Sequence, residues 1–340
     1  MKKKNASSKG SSKGIHRNRA WIGFFLASAV VLVLVATVAA NFGVIKDWAA
    51  GLGYRPTAEM EEIRESLGLT GTGRRIFDAV QPELKERDEF NQNCREVENE
   101  STILGCYTRD RVFVYNIVDE ELAGIKELTT AHELLHAVYN RMNKADKTKW
   151  GLILNDVYQN NLDILGAEID IYPEEQRREE LYVRAGTEIK NLPEELERHY
   201  AEIFGEQDKI VDFYERYIKV FREIEEKLER LYGEITQLSG EIEQATSEYE
   251  TRIAALNTAV EEFNRCAGTA DCFSSNTEFY TQRTKLISEQ TALKELYASL
   301  SEKIAKHNVL VAEYNENAVH GQILNSRINS SVTEGEVVGE

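Results

Sequence analysis

The chain has 340 residues, 42% of them apolar and 29% charged, which is enough for one or two domains with real cores and too apolar for wholesale disorder. Its formal charge of −17 is unevenly spread: residues 1–19 hold seven Lys/Arg and no acid, leaving 34 basic against 58 acidic residues downstream. So acidic a body argues against a nucleic-acid binder, which needs Lys/Arg gathered on a folded face to neutralise phosphates.

Residues 1–19, rich in Lys, Ser and Gly, read as a disordered basic tail. No charged residue occurs from Ala20 to Ile45, a run of 26 residues. At ~1.5 Å per helical residue that run is long enough to cross a ~30 Å hydrocarbon core, so 20–45 is expected to be a transmembrane helix. Trp21 and Trp48 stand where interfacial anchors would. The basic flank places the N-terminus in the cytoplasm and the body outside it. An apolar run longer than the ~7–15 residues of a signal-peptide core favours an uncleaved anchor over a signal peptide cut near Ala36–Ala40.

A linker and short helix are expected over 46–80, with a break at Gly68, Gly71 and Gly73. Strand-like runs follow at Ser101–Tyr107 and Val112–Val118, joined by a turn over Thr108–Arg111 as in a β-hairpin. Helical patterns cover 120–140, 145–165, 174–190 and 194–204, with breaks near Gly166, Pro173 and Pro193. Helices around a small antiparallel sheet make the fold class α+β, mostly α, with this domain lying within 46–205.

No proline occurs after Pro193, so very long helices are permitted downstream. Apolar residues recur there at alternating steps of four and three. One stripe runs from Ile210 through Leu231, Leu238 and Tyr249 to Phe263, with a stutter near Ile253. A second contains Phe279, Leu286, Leu293, Tyr297, Leu300, Ile304, Val311 and Tyr314, with Arg283, Gln290 and His307 at polar core positions. The expected structure is an antiparallel coiled-coil hairpin over 206–316, with its tip near 265–276, then a disordered tail over 317–340. Such a hairpin can dimerise or bind an envelope partner. The four cysteines fall into two local groups, Cys94 with Cys106 and Cys266 with Cys272, so sequential disulfides are expected outside the membrane.

The chemistry-bearing run is Thr130-Ala-His-Glu-Leu-Leu-His-Ala-Val138. Residues four apart share a helix face, so His132 and His136 can present both imidazoles to one metal ion. Glu133 projects beside them, where it can take a proton from water without being a ligand. Apart from Glu133, no charged residue lies between Thr129 and Val138, as befits a helix inside a domain.

Residues 129–138 resemble the active-site helix of the zincin metallopeptidases. The resemblance implies that His132 and His136 bind Zn2+, that Glu133 is the catalytic general base, and that a third protein ligand lies downstream. Ala137 to Lys144 lack the glycine and third histidine of metzincins, so the gluzincin pattern with a glutamate ligand fits better. The acidic candidates are Glu168, Asp170, Glu179, Glu180 and Glu188. Glu180 is preferred, with Glu188 the alternative ligand or, as a non-ligand, a carboxylate that orients a ligating histidine. Arg184 stands where gluzincins carry an aspartate four residues after the glutamate. His199, Tyr182 and Tyr200 are candidates to assist the oxyanion, though buried packing suits all three. The function implied is a membrane-anchored zinc peptidase acting on a peptide or protein substrate outside the cell. The alternative is a non-catalytic scaffold working through its helical hairpin.

Overall fold

The computed structural model describes residues 31–94 and 103–330, without the side chains of Ala167, Glu168 and Glu175. The basic tail, residues 20–30 of the expected membrane helix, Ser101-Thr102 and residues 331–340 lie outside the described residues. The described chain is mostly helical, with one small sheet. It divides into two compact units: residues up to Ile117 with Gly124–Glu215, and Val118–Ala123 with the residues from Arg216 on.

The first unit opens with helices α1 (Val31–Ala40) and α2 (Phe42–Gly51), bent by 65° at Asn41. The Asn41 side chain donates back to the Thr37 carbonyl at 2.8 Å, the same carbonyl that its backbone N–H reaches at 3.1 Å. Thus the expected single span over 20–45 is interrupted. Among the described residues no one helix is long and apolar enough to cross a membrane, and α1 and α2 meet that test only as a bent pair.

Helices α3 (Ala58–Ser66) and α4 (Gly71–Val80) follow, capped by Thr57 and Thr70. Next come β1 (Glu83–Lys85), α5 (Arg87–Cys94), β2 (Gly105–Thr108) and β3 (Arg111–Tyr115). The expected hairpin is present as β2 and β3, turning through Arg109 and Asp110, both at positive φ. The sequence gives no sign of β1, a three-residue strand behind Pro82. It pairs parallel to β3, making the sheet order β1-β3-β2. The run expected at Val112–Val118 is therefore the central strand and ends at Tyr115, and β2 is an outer strand.

Five helices complete the unit: α6 (Ile125–Arg141), α7 (Lys144–Asn160), α8 (Leu162–Asp170), α9 (Glu174–Glu188) and α10 (Glu194–Phe204). Gly124, at φ 98°, caps α6, which starts at Ile125, five residues later than expected, and the preceding Glu120–Leu122 is a short 3-10 turn. The break expected at Gly166 lies instead at Asn161, whose non-helical backbone separates α7 from α8. One apolar core joins α3, α4, the sheet and α6–α10 around Phe77, Leu134, Leu135, Tyr182 and Tyr200. At Gly186 any Cβ would sit 2.6 Å from both Leu135 and Tyr200, so glycine there lets α9 lie close against α6.

Helix α11 (Asp208–Ala267) starts in this unit and continues into the second, where α12 (Asn276–Ile328) returns antiparallel to it. Pairs such as Ser239–His307, Glu241–Lys303 and Arg252–Glu289 mark the antiparallel register. Four core-type positions on α12 are corrected: Arg283, Gln290, Tyr297 and Ile304 are exposed, whereas Leu293, Leu300 and Leu310 are buried. His307, expected at a polar core position, bonds across to Ser239, and Lys303, which hydrophobicity alone does not find, bonds across to Glu241. Residues 317–328, expected to be disordered, are the last turns of α12.

Candidate metal centre

Helix α6 is buried along most of its length, with Ala131, Leu134, Leu135 and Ala137 completely enclosed. That burial fixes its rotation and sets His132 and His136 together, their ring centroids 5.1 Å apart. Helix α9 packs against α6 and supplies Glu180 from the facing turn. Its Oε1 is 3.3 Å from His136 Nε2 and its Oε2 is 3.8 Å from His132 Nε2. One donor atom from each of the three lies within 4.8 Å of the others. Two imidazole nitrogens and a carboxylate oxygen, converging from two packed helices, form a group that can hold a metal ion.

The surrounding charges suit a cation. Burial holds the His132 imidazole well below the ordinary histidine value, and positive charge on His136 and Arg184 pushes it further down. Burial lowers His136 too, but a hydrogen bond to Glu179 and the carboxylates of Glu180 and Glu133 outweigh it and raise the group to about 9. The site thus draws one positive charge into the His132–His136 pair in the absence of metal.

Glu179 has a place the sequence reading gave to Glu188. His136 Nδ1 lies 2.9 Å from Glu179 Oε1, positioned to donate, which turns Nε2 toward Glu180. Glu188 instead accepts from Arg184 Nη1 at 3.0 Å, both side chains being largely buried. The arginine four residues after Glu180 therefore serves that ion pair. Asp170 accepts from the Tyr158 hydroxyl, and Glu168 lies outside the described side chains.

Glu133 is 3% exposed and lies under β2. A Cβ on Gly105 would stand 2.7 Å from both Cγ and Oε1 of Glu133, so only glycine lets the strand pass this close. The signal was available as a glycine inside a predicted strand. The Cys94–Cys106 disulfide ties the neighbouring residue of β2 to the end of α5, and Cys266–Cys272 closes the α11–α12 turn. Both pairings are the sequential ones.

His199, Tyr182 and Tyr200 form a separate aromatic cluster. The His199 ring stacks on Trp150 at 4.4 Å, its Nε2 lies 3.0 Å from the Tyr182 hydroxyl, and Tyr200 donates to the Tyr182 carbonyl. Burial lowers His199 and raises both tyrosines, which suits core packing.

Comparison with known proteins finds no matching family model, no matching curated protein and no matching solved structure. Function is therefore read from the side chains themselves.

Proposed function

We propose that this chain is a membrane-anchored, extracytoplasmic, zinc-dependent metallopeptidase of gluzincin-like type, with His132, His136 and Glu180 as ligands and Glu133 as general base. The observation that carries the reading is the convergence of those three donors beside a fourth, buried carboxylate that belongs to the same helix and is not needed as a ligand. Zinc suits a donor set of two imidazoles and one carboxylate, which leaves a coordination position open.

Bound zinc would supply Lewis acidity, lowering the pKa of a water toward ~7 and polarising a peptide carbonyl. Glu133 would take the proton as that water attacks and pass it to the leaving amine. Its carboxylate is held for the task by helix α6 below and by the Gly105 backbone above. Glu179 would keep the His136 Nδ1–H bonded and the ring oriented. Strand β2, the outer strand that touches Glu133, is the edge along which an extended peptide would add. Membrane anchoring rests on the uncharged 20–45 run and its basic flank. The long α11–α12 hairpin would present partners or space the catalytic unit, and its exposed Tyr280 and Tyr297 are compatible with a second copy or an envelope protein.

The test is zinc content together with cleavage of a peptide library. About one zinc per chain, and cleavage abolished by Glu133→Gln with zinc retained, would support the enzyme. Folded, zinc-free protein would leave only the scaffold reading.

A further inference from the structure

Helix α2 has two unlike faces. One carries Asp47 and Gly51. Asp47 is buried and accepts from Arg141 Nε at 3.0 Å at the end of α6, while any Cβ on Gly51 would lie 3.1 Å from the Asp78 side chain on α4. Arg141 also reaches the Tyr107 hydroxyl on β2 at 3.4 Å. The segment after the apolar run is thus locked onto the body that holds the candidate metal centre, where a linker was expected. The opposite face carries Phe42, Ile45 and Trp48 within one arc of the helix, and Leu52 follows directly after its last residue, with Trp48 64% and Leu52 80% exposed.

We propose that this face is a membrane seat: Phe42, Ile45, Trp48 and Leu52 lie in the headgroup–acyl boundary of the bilayer that the upstream segment enters, so α2 fixes the orientation of the catalytic unit on the lipid surface. The choice of lipid over protein comes from the neighbouring chain. Helix α1 is uncharged and apolar, every residue from Val31 to Ala40 is exposed, and the uncharged run continues upstream to Ala20. A helix apolar all round, with none of the described residues covering it, is matched by hydrocarbon. The bend at Asn41 sets the geometry. With α1 along the membrane normal, a 65° bend leaves α2 about 25° from the membrane plane. Its ten residues, about 15 Å long, then climb only about 6 Å, within the depth of an interfacial helix. The tryptophan midway along the exposed face suits that depth.

The membrane-anchor part of the proposed function underlies this inference, and the two can fail separately. The full chain carrying a nitroxide at Ile45→Cys, Trp48→Cys or Leu52→Cys, with Glu194→Cys as the exposed reference, is reconstituted into phosphatidylcholine–phosphatidylglycerol vesicles. Collision rates with oxygen and with a water-soluble nickel chelate are then compared. The expected result is a several-fold higher oxygen-to-nickel ratio at 45, 48 and 52 than at 194. Ratios equal to the reference in chain that resists alkaline carbonate extraction would overturn the seat and keep the anchor. Labels shielded from both reagents would overturn it in favour of a protein cover. Release of the chain by carbonate would overturn seat and anchor together.

Discussion

Gly105 and Glu133 are so close that a single methyl group cannot be placed between them: a Cβ at 105 would stand 2.7 Å from the glutamate's Oε1 and 2.6 Å from the Thr129 methyl. Gly105→Ala must move either β2 or the carboxylate. A displacement near 1 Å at a reacting group costs on the order of 10²-fold in rate. We expect peptide cleavage to fall by about that factor with zinc stoichiometry unchanged, as read by steady-state kinetics beside metal analysis.

The roles of Glu179, Glu180 and Glu188 are separable by substitution. Glu180→Gln should all but abolish zinc binding. Glu179→Gln should weaken it by about 10–100-fold, the usual effect of losing a ligand's hydrogen-bond partner. Glu188→Gln should leave zinc affinity nearly unchanged and lower stability by about 1–3 kcal/mol, because the charge-assisted bond between the largely buried Arg184 and Glu188 is weakened to a neutral one. Competition titration with a zinc indicator and urea unfolding distinguish the three. Loss of zinc in Glu188→Gln with normal binding in Glu180→Gln would reverse the assignment.

The pH dependence follows from His136. In the metal-free protein its proton is held up to about 9, above the unfolded histidine value of ~6.5. That interaction stabilises the fold fully below pH ~6.5 and is lost as pH rises through about 9. The metal-free melting temperature should therefore fall across this window. Zinc must displace the same proton, so its affinity should rise with pH over the window and then level off. Thermal melts with and without zinc between pH 6 and 10 check both signs, and a zinc affinity flat in pH would contradict them.

The Cys94–Cys106 bond closes a 12-residue separation, for which chain entropy predicts about 3 kcal/mol of stabilisation. Because Cys106 follows Gly105 on β2, the double Cys94→Ser, Cys106→Ser variant should also lose cleavage activity at temperatures where it is still folded. The Cys266→Ser, Cys272→Ser pair should leave activity untouched. Parallel melts and rate measurements compare them.

The sequence by itself determined the elements whose signal is local and periodic. The i, i+4 spacing of His132 and His136, the heptads of α11, the cysteine grouping and the boundaries of α9 and α10 are each written in a few neighbouring residues. Three-dimensional packing decided the rest. Helix α9 places three acids within ten residues, and only its rotation against α6, set by Gly186, Leu135 and Tyr200, turns Glu180 and Glu179 toward the histidines and leaves Glu188 to Arg184. Strand β1 and the central place of β3 were hidden because a three-residue strand owes its existence to its partner. The α12 seam was misread at Lys303 for a related reason: Glu241 on the other helix holds it there, and a one-dimensional hydrophobic pattern cannot register a hydrogen bond across some sixty residues.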